Sequence, residues 1–365
     1  MRCRIRRRHG MSQAEPVERF FKKVRKMLQD ALSQVERGID LTFDQAVAVI
    51  EAMISGVCDG EIARRLLTAL HLKGEAVEEV AGAAQAMRRQ MLRIRPNAPL
   101  VVDIVGTGGD GAGTFNISTA AAIVTAAAGV PVAKHGNRRI TSRSGAADVL
   151  ALLGVAVEAD PAFAEECLNE LGICFCFAPK FHPAMRNVAE IRAKLGHPTI
   201  FNLLGPLTNP AGANVQLLGV GREHLHRMMA EALCLLGTRR SAVVFGGSGL
   251  DEIDLGGLTH VILVEESSMR TFRWTWEDFG LGPVNLDQLQ VAGPEESAAR
   301  ILEILSGRPS PAADVVAANA GAALWLTETA RNPDDCVALA QQAMQGGAAA
   351  DLLNRWIAKS RHARR

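Results

Sequence analysis

The apolar residues near the start of the chain recur every three to four positions, which is the period of an amphipathic helix. Residues 17–93 follow this pattern throughout, and it predicts no strand among them. Thr42 and Gln45 form a capping box that predicts the start of one helix. Asp59 can cap a second helix, which Gly74 would end. The sequence therefore begins with a helical region.

From Pro96 onward, short apolar runs alternate with helical segments. The predicted strands of the first part are LVVDIV, VPVAKHG, VAVE and ICFCFA. A strand, a helix and a second strand at this spacing form a βαβ unit, whose parallel sheet is buried on both faces. The pattern is helical again over 183–210, and then the strands VQLLGV, SAVVFGG and THVILVEE follow. Two or three helices are predicted to close the chain.

These patterns predict an α/β fold with two parts. One is a large α/β domain with a mainly parallel central sheet, and the other is a small all-helical domain that is discontinuous in the sequence. The predicted helical subdomain comprises residues 17–95 and 181–210, and the α/β domain comprises residues 96–180 and 211–365. No repeat of solenoid period interrupts this organisation.

Composition and charge narrow the functional class. Hydrophobic residues make up 48% and charged residues 22%, the balance of a globular protein, and the net charge of +1 gives no case for a nucleic-acid partner. The seven cysteines are scattered, which favours free thiols in a reducing compartment. Every long apolar stretch is broken by a Gly, a Pro or a charge. We expect a cytoplasmic protein with no membrane partner.

The first residues of the chain differ from the rest. MRCRIRRRHG contains five arginines and no acid, and residues 1–16 are predicted to be a basic, disordered tail. A nucleic-acid arm and part of a targeting peptide are the alternatives. The prediction favours the tail, or a start at Met11, because no apolar segment of signal-peptide length follows.

A glycine-rich loop after the first predicted strand is the strongest chemical signal. Glycines recur from Gly106 to Gly113, and hydroxyl and amide side chains follow from Thr114 to Thr119. Glycines allow a backbone to approach a ligand closely. A helix is predicted to begin directly behind the loop, so its free N–H groups and its dipole face the same place. The arrangement predicts a phosphate site.

Two common phosphate motifs do not fit this loop. Gly106, Gly108 and Gly111 match G-x-G-x-x-G, but no Asp or Glu occurs between Gly111 and Asp148 to hold a ribose hydroxyl. The Walker motif also fails, because no G-K-[ST] sequence closes the loop. The next strand instead ends in a lysine, Lys134, which suits a further phosphate group.

Five blocks of the sequence together resemble the anthranilate phosphoribosyltransferases. The blocks are GTGGDGAGTFNIST, KHGNRRITSRSGAADVL, FAPKFHPAMRNVAEIRAKLG, TIFNLLGPLTNPA and GLDEI, in the order in which that family has them. The resemblance implies transfer of a phosphoribosyl group from phosphoribosyl pyrophosphate to the amino group of anthranilate, in tryptophan biosynthesis. It also implies a Mg²⁺ cofactor and a homodimer formed through the helical subdomain.

The resemblance also implies a role for individual residues. The donor would be bound by Gly106, Gly109, Asp110, Thr114, Asn116, Ile117, Ser118, Thr119, Lys134, Asn137 and Ser142. Magnesium would be bound by Ser118, Asp251 and Glu252, and anthranilate by Gly106, His135, Asn137 and Arg192. No residue is expected to act as an acid or base, because His135, Asn137 and Arg192 would position the amine.

Physical chemistry supports these assignments, and three further functions stay open. Asp251 and Glu252 follow the strand SAVVFGG, and Mg²⁺ prefers one or two carboxylates beside phosphate oxygens. The fork of the Arg192 guanidinium matches a carboxylate. Departures from the family pattern, such as Arg139, leave another aromatic amine as a possible acceptor. An enzyme similar to pyrimidine nucleoside phosphorylase is the second open function, and a non-catalytic relative that binds nucleic acid is the third.

Overall fold

The computed structural model describes residues 14–138 and 144–363 of the chain. In chain order its elements are α1 (Ala14–Glu36), α2 (Phe43–Ile54), α3 (Gly60–Lys73), α4 (Val77–Gln90), β1 (Val102–Gly106), α5 (Ile117–Ala127), β2 (Val132–Gly136), α6 (Ala146–Leu152), α7 (Pro161–Leu171), β3 (Ile173–Phe177), α8 (Ala178–Phe181), α9 (Arg186–Leu195), β4 (Val215–Gly219), α10 (Glu223–Leu235), β5 (Arg240–Gly246), β6 (Thr259–Glu265), β7 (Ser268–Trp274), α11 (Pro294–Leu305), α12 (Pro311–Leu326), α13 (Pro333–Gln345) and α14 (Ala348–Ala363). Short 3-10 helices cover Pro183–Met185, Ile200–Asn202, Gly205–Leu207, Trp276–Phe279 and Leu286–Leu289.

The N-terminal helices begin and end where the sequence predicts. The Thr42 hydroxyl accepts a hydrogen bond from the Gln45 backbone N–H at 3.3 Å, and the Gln45 side chain accepts one from the Thr42 N–H at 2.9 Å. Asp59 caps α3 through two backbone N–H groups, and Gly74 ends α3 with a φ of 85°. These local signals suffice because a capping residue and its partner lie within one turn of each other.

The sheet has seven strands in the order β3-β2-β1-β4-β5-β6-β7. Neighbours from β3 to β5 are parallel, and the β5–β6 and β6–β7 pairs are antiparallel. The prediction of a mainly parallel sheet is confirmed. Strand β7 was missed because most of its side chains are exposed, and it therefore lacks an apolar run.

Two sequence-based predictions about elements are wrong. The run VAVE at 155–158 is not a strand: it joins α6 to α7, and backbone hydrogen bonds from Val155 to Leu150 and from Val157 to Val155 keep it locally folded. The segment has the alternating apolar pattern of a strand because Val155 and Val157 are both buried, but it does not pair with a strand. At the C-terminal end four helices, α11 to α14, close the chain, rather than two or three.

The sheet separates two hydrophobic cores. One face shares a core with α5, α7 and the four C-terminal helices, with Val102 and Ile104 of β1 among its buried residues. The other face, which includes Leu218 of β4, shares a core with α2, α3 and α4 and with residues of the 188–207 segment. Helix α10 lies in this second core and packs on both α4 and the sheet. The predicted fold class, a mainly parallel sheet with a helical part, is confirmed. The domain boundaries stay a prediction.

Residues 1–13 of the predicted tail lie outside the described residues, and residues 14–16 already belong to α1. Across 14–138 and 144–363, none of the helices combines the length and the apolarity that a membrane crossing requires.

Candidate functional site

The carboxyl ends of β1 and β4 meet at one edge of the sheet, and they leave room for a side chain from the loop after β5. Gly106 and Gly219 are opposite each other in the parallel register. A methyl group built on Gly106 would overlap the Asp251 carboxylate, and one on Gly219 would overlap the Asp251 backbone carbonyl. Both positions therefore need glycine so that the loop after β5 can approach the two strand ends.

Three carboxylates converge at this edge. One oxygen each of Asp110, Asp251 and Glu252 lie within 4.8 Å of one another. Asp251 Oδ2 accepts a hydrogen bond of 2.9 Å from the N–H of Gly108, which ties the loop after β5 to the glycine loop. Glu252 Oε2 is buried and has no hydrogen-bond partner. The cluster offers several oxygen atoms to a cation and has an unsatisfied acceptor among them.

The electrostatics of the cluster also favour a cation. Burial raises the pKa of Glu252 well above its usual value, and the charges of Asp251 and Asp110 raise it further. Burial raises the pKa of Asp110 to about 6, and Asp251 adds to that rise. Like charges held close together oppose ionisation, and a bound divalent ion would relieve this repulsion.

Lys134 joins this cluster from the neighbouring strand β2. Its side chain is buried, and Nζ donates hydrogen bonds to the Ile104 carbonyl at 2.6 Å and to the Ser118 hydroxyl at 3.1 Å. Burial lowers the pKa of Lys134 to about 8, against the opposing effect of Asp103 and of the acidic pair. Lys134 and Ser118 therefore lie next to each other, where the charges of Asp251 and Glu252 act on the lysine.

Asp103 is part of this site and was not assigned a role from the sequence. Its side chain is fully buried in β1, and Oδ1 accepts a hydrogen bond of 3.2 Å from the backbone N–H of His135. Oδ2 has no hydrogen-bond partner, and burial raises the pKa of the carboxyl to about 6. A signal was present, because an acid within the apolar run LVVDIV requires a partner. That partner is the charge of Lys134.

The start of α5 is open toward the glycine loop. Asn116 occupies the N-cap position, but its side chain makes no capping hydrogen bond. Instead, Asn116 Nδ2 donates to the Ser144 carbonyl, and Oδ1 accepts from the hydroxyls of Ser144 and Ser297. Ile117 is fully buried, so its side chain can only position the helix. The Thr119 hydroxyl is buried without a hydrogen-bond partner.

A distant segment holds the second half of the glycine loop in place. The Phe115 N–H donates to the Leu289 carbonyl at 2.9 Å, and the Val291 N–H donates to the Gly113 carbonyl at 3.0 Å. Thr114 and Gln290 form an isolated antiparallel bridge between these bonds. Sequence reasoning missed this contact because the two segments are far apart in the chain and neither carries a motif for the other.

His135 connects the sheet to the helical part. Its Nδ1 lies 2.8 Å from the Gly205 carbonyl, and its Nε2 lies 3.3 Å from Nε2 of His182, the residue before Pro183. Burial lowers the pKa of His135 to about 4 and that of His182 to about 3. Both imidazoles are therefore uncharged at neutral pH, and a ligand could bond to the His135 ring only in place of its contact with His182.

The remaining predicted residues are placed as follows. Gly109, with a φ of 79°, lies in the glycine loop, and the exposed Asn137 follows β2. Arg192 lies on α9, with its guanidinium over the Phe201 ring at 5.4 Å and its Nε buried without a partner. That unused donor fits an acidic ligand. Ser142 lies outside the described residues.

We expect Gly106→Ala to disable the acidic cluster without unfolding the protein. The added methyl group would displace the Asp251 carboxylate. This carboxylate accepts a hydrogen bond from the Gly108 N–H and lies close to Asp110. The expected result is a loss of magnesium-dependent turnover of at least about 100-fold, since positioning errors near 1 Å have effects of this size. Gly282→Ala is the control, because nothing lies within 4 Å of a methyl group there. Equal turnover of both variants would contradict the arrangement.

The chain matches the models of two protein-family domains. The match to the a/b domain of a glycosyl transferase family covers residues 98–350, and the match to the helical bundle domain of that family covers residues 29–91. These spans agree with the sheet-containing part and the N-terminal helices.

Several similar proteins and solved structures are named anthranilate phosphoribosyltransferase. The chain is 48% identical to the anthranilate phosphoribosyltransferase of Rhodopirellula baltica over 89% of this chain and 95% of that one. It is similar to the crystal structure of anthranilate phosphoribosyltransferase from Thermus thermophilus, with 45% identity, a TM-score of 0.85, and coverage of 91% of this chain and 99% of that one. The yeast enzyme (Saccharomyces cerevisiae), solved in complex with PRPP (phosphoribosyl pyrophosphate) and Mg, has 30% identity, a TM-score of 0.83 and coverage of 92% and 98%.

Proposed function

The chain belongs to the anthranilate phosphoribosyltransferase family, and we propose how its residues carry out the reaction of that family. The reaction transfers the phosphoribosyl group from phosphoribosyl pyrophosphate to the amino group of anthranilate, giving N-(5-phosphoribosyl)anthranilate and pyrophosphate, in tryptophan biosynthesis. The observation that carries the proposal is the meeting of the glycine loop, Lys134 and the acidic cluster at one sheet edge. The relatives support this function over a different aromatic amine, a nucleoside phosphorylase or a nucleic-acid-binding role.

We propose that the acidic cluster binds Mg²⁺. Asp110, Asp251 and Glu252 would supply carboxylate oxygens, and Ser118 would add a hydroxyl from the start of α5. Two observations support the fit: Glu252 has a buried oxygen without a partner, and the three acids repel one another. When bound, Mg²⁺ would neutralise negative charge on pyrophosphate oxygens. From the sequence, Asp110 was expected to bind only the donor. Because it lies close to Asp251 and Glu252, we propose that it binds Mg²⁺ as well.

The donor's phosphates would lie between the glycine loop and the start of α5. The loop brings backbone N–H groups close to the ligand, and the uncapped helix adds its dipole. Lys134 would stabilise the leaving pyrophosphate, since its ammonium group is held at this edge by Ile104 and Ser118. Gly109, Thr114 and Thr119 complete the proposed donor site, with Asn116 holding the loop in shape.

The acceptor would lie where the helical part meets the sheet. Arg192 would bind the carboxylate of anthranilate through its two-point fork, and the unused Nε supports this role. His135 and Asn137 would orient the amine, His135 by exchanging its contact with His182 for one with the ligand. The bond between the anomeric carbon and pyrophosphate breaks, a bond from that carbon to nitrogen forms, and the nitrogen passes a proton to the departing pyrophosphate or to water. Positioning and charge stabilisation suffice for a cation-like transition state, so no strong base is required.

One assay tests the function. The protein is incubated with Mg²⁺, phosphoribosyl pyrophosphate and anthranilate, and the loss of anthranilate fluorescence is followed. Other aromatic amines and a reaction with phosphate and a pyrimidine nucleoside serve as comparisons. Turnover of a second amine at a higher kcat/KM than anthranilate would overturn the acceptor assignment. Cleavage of the nucleoside instead would overturn the donor assignment.

We also propose that the protein is a homodimer formed through the helical subdomain. Phe20 and Phe21 of α1 and Leu72 of α3 are large apolar residues with at least 49% of their surface exposed. A groove of about 370 Å³ beside Leu72 runs between α3 and the C-terminal end of α1, at the other end of α1 from Phe20 and Phe21. Exposed apolar surface next to a groove is typical of an interface between subunits.

The dimer is tested by placing one charge on α1 and one on α3. We expect the double variant Phe21→Glu and Leu72→Glu to elute as a monomer in size-exclusion chromatography with light scattering, because a buried interface would have to accept two carboxylates. Leu302→Glu is the control, since Leu302 is equally apolar and 51% exposed but lies on α11. A monomeric parent protein, or an unchanged dimer in the double variant, would refute the interface.

The cysteines support a cytoplasmic location for the enzyme. Each of the six cysteines within the described residues is a free thiol, and Cys174 and Cys176 are fully buried in β3 with their sulfur atoms 3.9 Å apart. Free thiols in this number are typical of a reducing compartment.

A further inference from the structure

A second cavity lies at the edge of the sheet opposite the site described above. Its volume is about 650 Å³, and its lining includes Asn214 and Thr238, which lie just before β4 and β5. The chain segments 91–96 and 209–214, which connect the helical part to the sheet, form much of its wall. Cavities at the junction of two parts of a protein are common ligand sites.

All the charged side chains that line this cavity are positive. Arg88, Arg93 and Arg95 line it, and no acidic residue does. None of the three arginines forms an ion pair with a carboxylate in the part of the chain that the structure describes. The neighbouring Arg89, by contrast, pairs with Glu51 outside the cavity. The cavity is therefore a positive region that its own residues do not neutralise.

Arg88 lies deepest of the three and is held in a fixed orientation. Its Nε donates to the Leu207 carbonyl at 2.6 Å and its Nη1 to the Leu236 carbonyl at 3.4 Å. Burial lowers the pKa of its guanidinium to about 10, and Arg93 adds to that effect. The two carbonyls satisfy hydrogen-bond donors without supplying a negative charge. A charge removed from water is costly unless an opposite charge accompanies it, so an anion is the missing partner.

The rest of the cavity wall combines polar and apolar surface. Met91 and Leu236, which are half-buried, contribute hydrocarbon surface near the arginines, whereas Ile94 and Leu233 are buried. The buried amide of Gln216 is already used, since it donates to the Pro206 carbonyl at 2.6 Å. A bare inorganic ion would leave this apolar surface uncovered, whereas a molecule with an apolar body would cover it.

We infer that this cavity binds a small organic carboxylate whose anionic group lies against Arg88 and whose apolar body covers Met91 and Leu236. Arg93 and Arg95 add positive charge at the rim. The ligand would contact both connecting segments at once. The inference is independent of the proposed function, because it uses none of the residues at the opposite edge of the sheet.

Isothermal titration calorimetry with sodium 1-naphthoate on the whole protein tests the inference. We expect one equivalent to bind, and we expect Arg88→Met to weaken binding at least about tenfold, since charged hydrogen bonds of this kind are the strong ones. Because Arg88 also bonds two carbonyls, the rim variant Arg93→Gln with Arg95→Gln provides a second test with less risk to folding. Arg89→Gln, on the same helix but paired with Glu51, is the matched control and should bind as the parent does.

Four further measurements decide between outcomes. Binding that persists in Arg192→Gln, and with phosphoribosyl pyrophosphate and Mg²⁺ present, supports a site separate from the proposed donor and acceptor sites, and loss of binding under either condition would overturn it. Neutral 1-naphthalenemethanol should bind at least about tenfold more weakly, and equal binding would show that charge is not recognised. Inorganic phosphate binding as tightly as 1-naphthoate would refute the role of the apolar wall. Equal affinity in the parent, the rim variant and Arg88→Met would overturn the site altogether.

Discussion

Replacing Asp251 by Asn and Glu252 by Gln together should abolish magnesium-dependent turnover and leave the fold intact. The two substitutions keep the shape of the side chains but remove two of the three charges that converge within 4.8 Å. Magnesium at such a site depends on one or two carboxylates, and the charge it supplies to a leaving pyrophosphate is a major part of catalysis. We expect kcat/KM to fall at least about 1,000-fold, measured by anthranilate fluorescence at saturating Mg²⁺.

A thermal measurement separates loss of metal from loss of fold. In the parent, Mg²⁺ should raise the melting temperature, because an ion that binds only the folded state stabilises it. The double variant should lose this Mg²⁺-dependent rise.

Without Mg²⁺, the two substitutions should not lower the melting temperature. The folded-state pKa of Glu252 is raised, so its ionisation destabilises the fold once the pH exceeds the unfolded pKa, and the neutral variant escapes this effect. We therefore expect the metal-free variant to melt no lower than the metal-free parent. The exposed adjacent acids Asp334 and Asp335 on α13 provide the control, as Asp334→Asn with Asp335→Asn. Near-normal turnover of the double variant at 251 and 252 would refute the metal assignment.

Most of the fold was readable from the sequence because its signals are local. The capping box of α2, the cap and the glycine stop of α3, and the strand–loop–helix unit from β1 to α5 each lie within a few residues. Strand β7 was unreadable since its exposed side chains leave no apolar pattern, and its place is set by pairing with β6. The false strand at 155–158 shows the converse, because buried alternating valines do not require a ladder.

The site was readable only in its separate pieces. The glycine loop and the acidic pair each follow a strand, but their contact depends on β1 lying next to β4 in the sheet order. No local pattern reveals that order. The need for glycine at Gly219 and the bridge between Thr114 and Gln290 are consequences of the same long-range packing. Arg192 came from resemblance alone, and its unused buried Nε is the physical feature that the sequence could not show.

Lys134→Met should lower kcat/KM by at least about 100-fold, mainly through kcat. Methionine approximates the length of the lysine stem, so the buried position in β2 stays filled, but the ammonium group is lost. A single well-placed donor to a developing negative charge typically contributes a factor of about 100 to 1,000. Because the leaving pyrophosphate gains charge in the transition state, the lysine should contribute more there than to donor binding.

The stability of the folded protein should also show that the charge of Lys134 interacts with Asp103. Without the lysine, Asp103 keeps a buried carboxyl whose main opposing charge is gone, so its pKa should rise above the present value of about 6. The double variant Lys134→Met with Asp103→Asn should therefore melt higher than Lys134→Met alone, while turnover stays low in both. Lys359→Met is the control, since Lys359 pairs with Glu166 and Glu170 on α7. Parent-like kcat in Lys134→Met would show that the leaving group does not depend on this lysine.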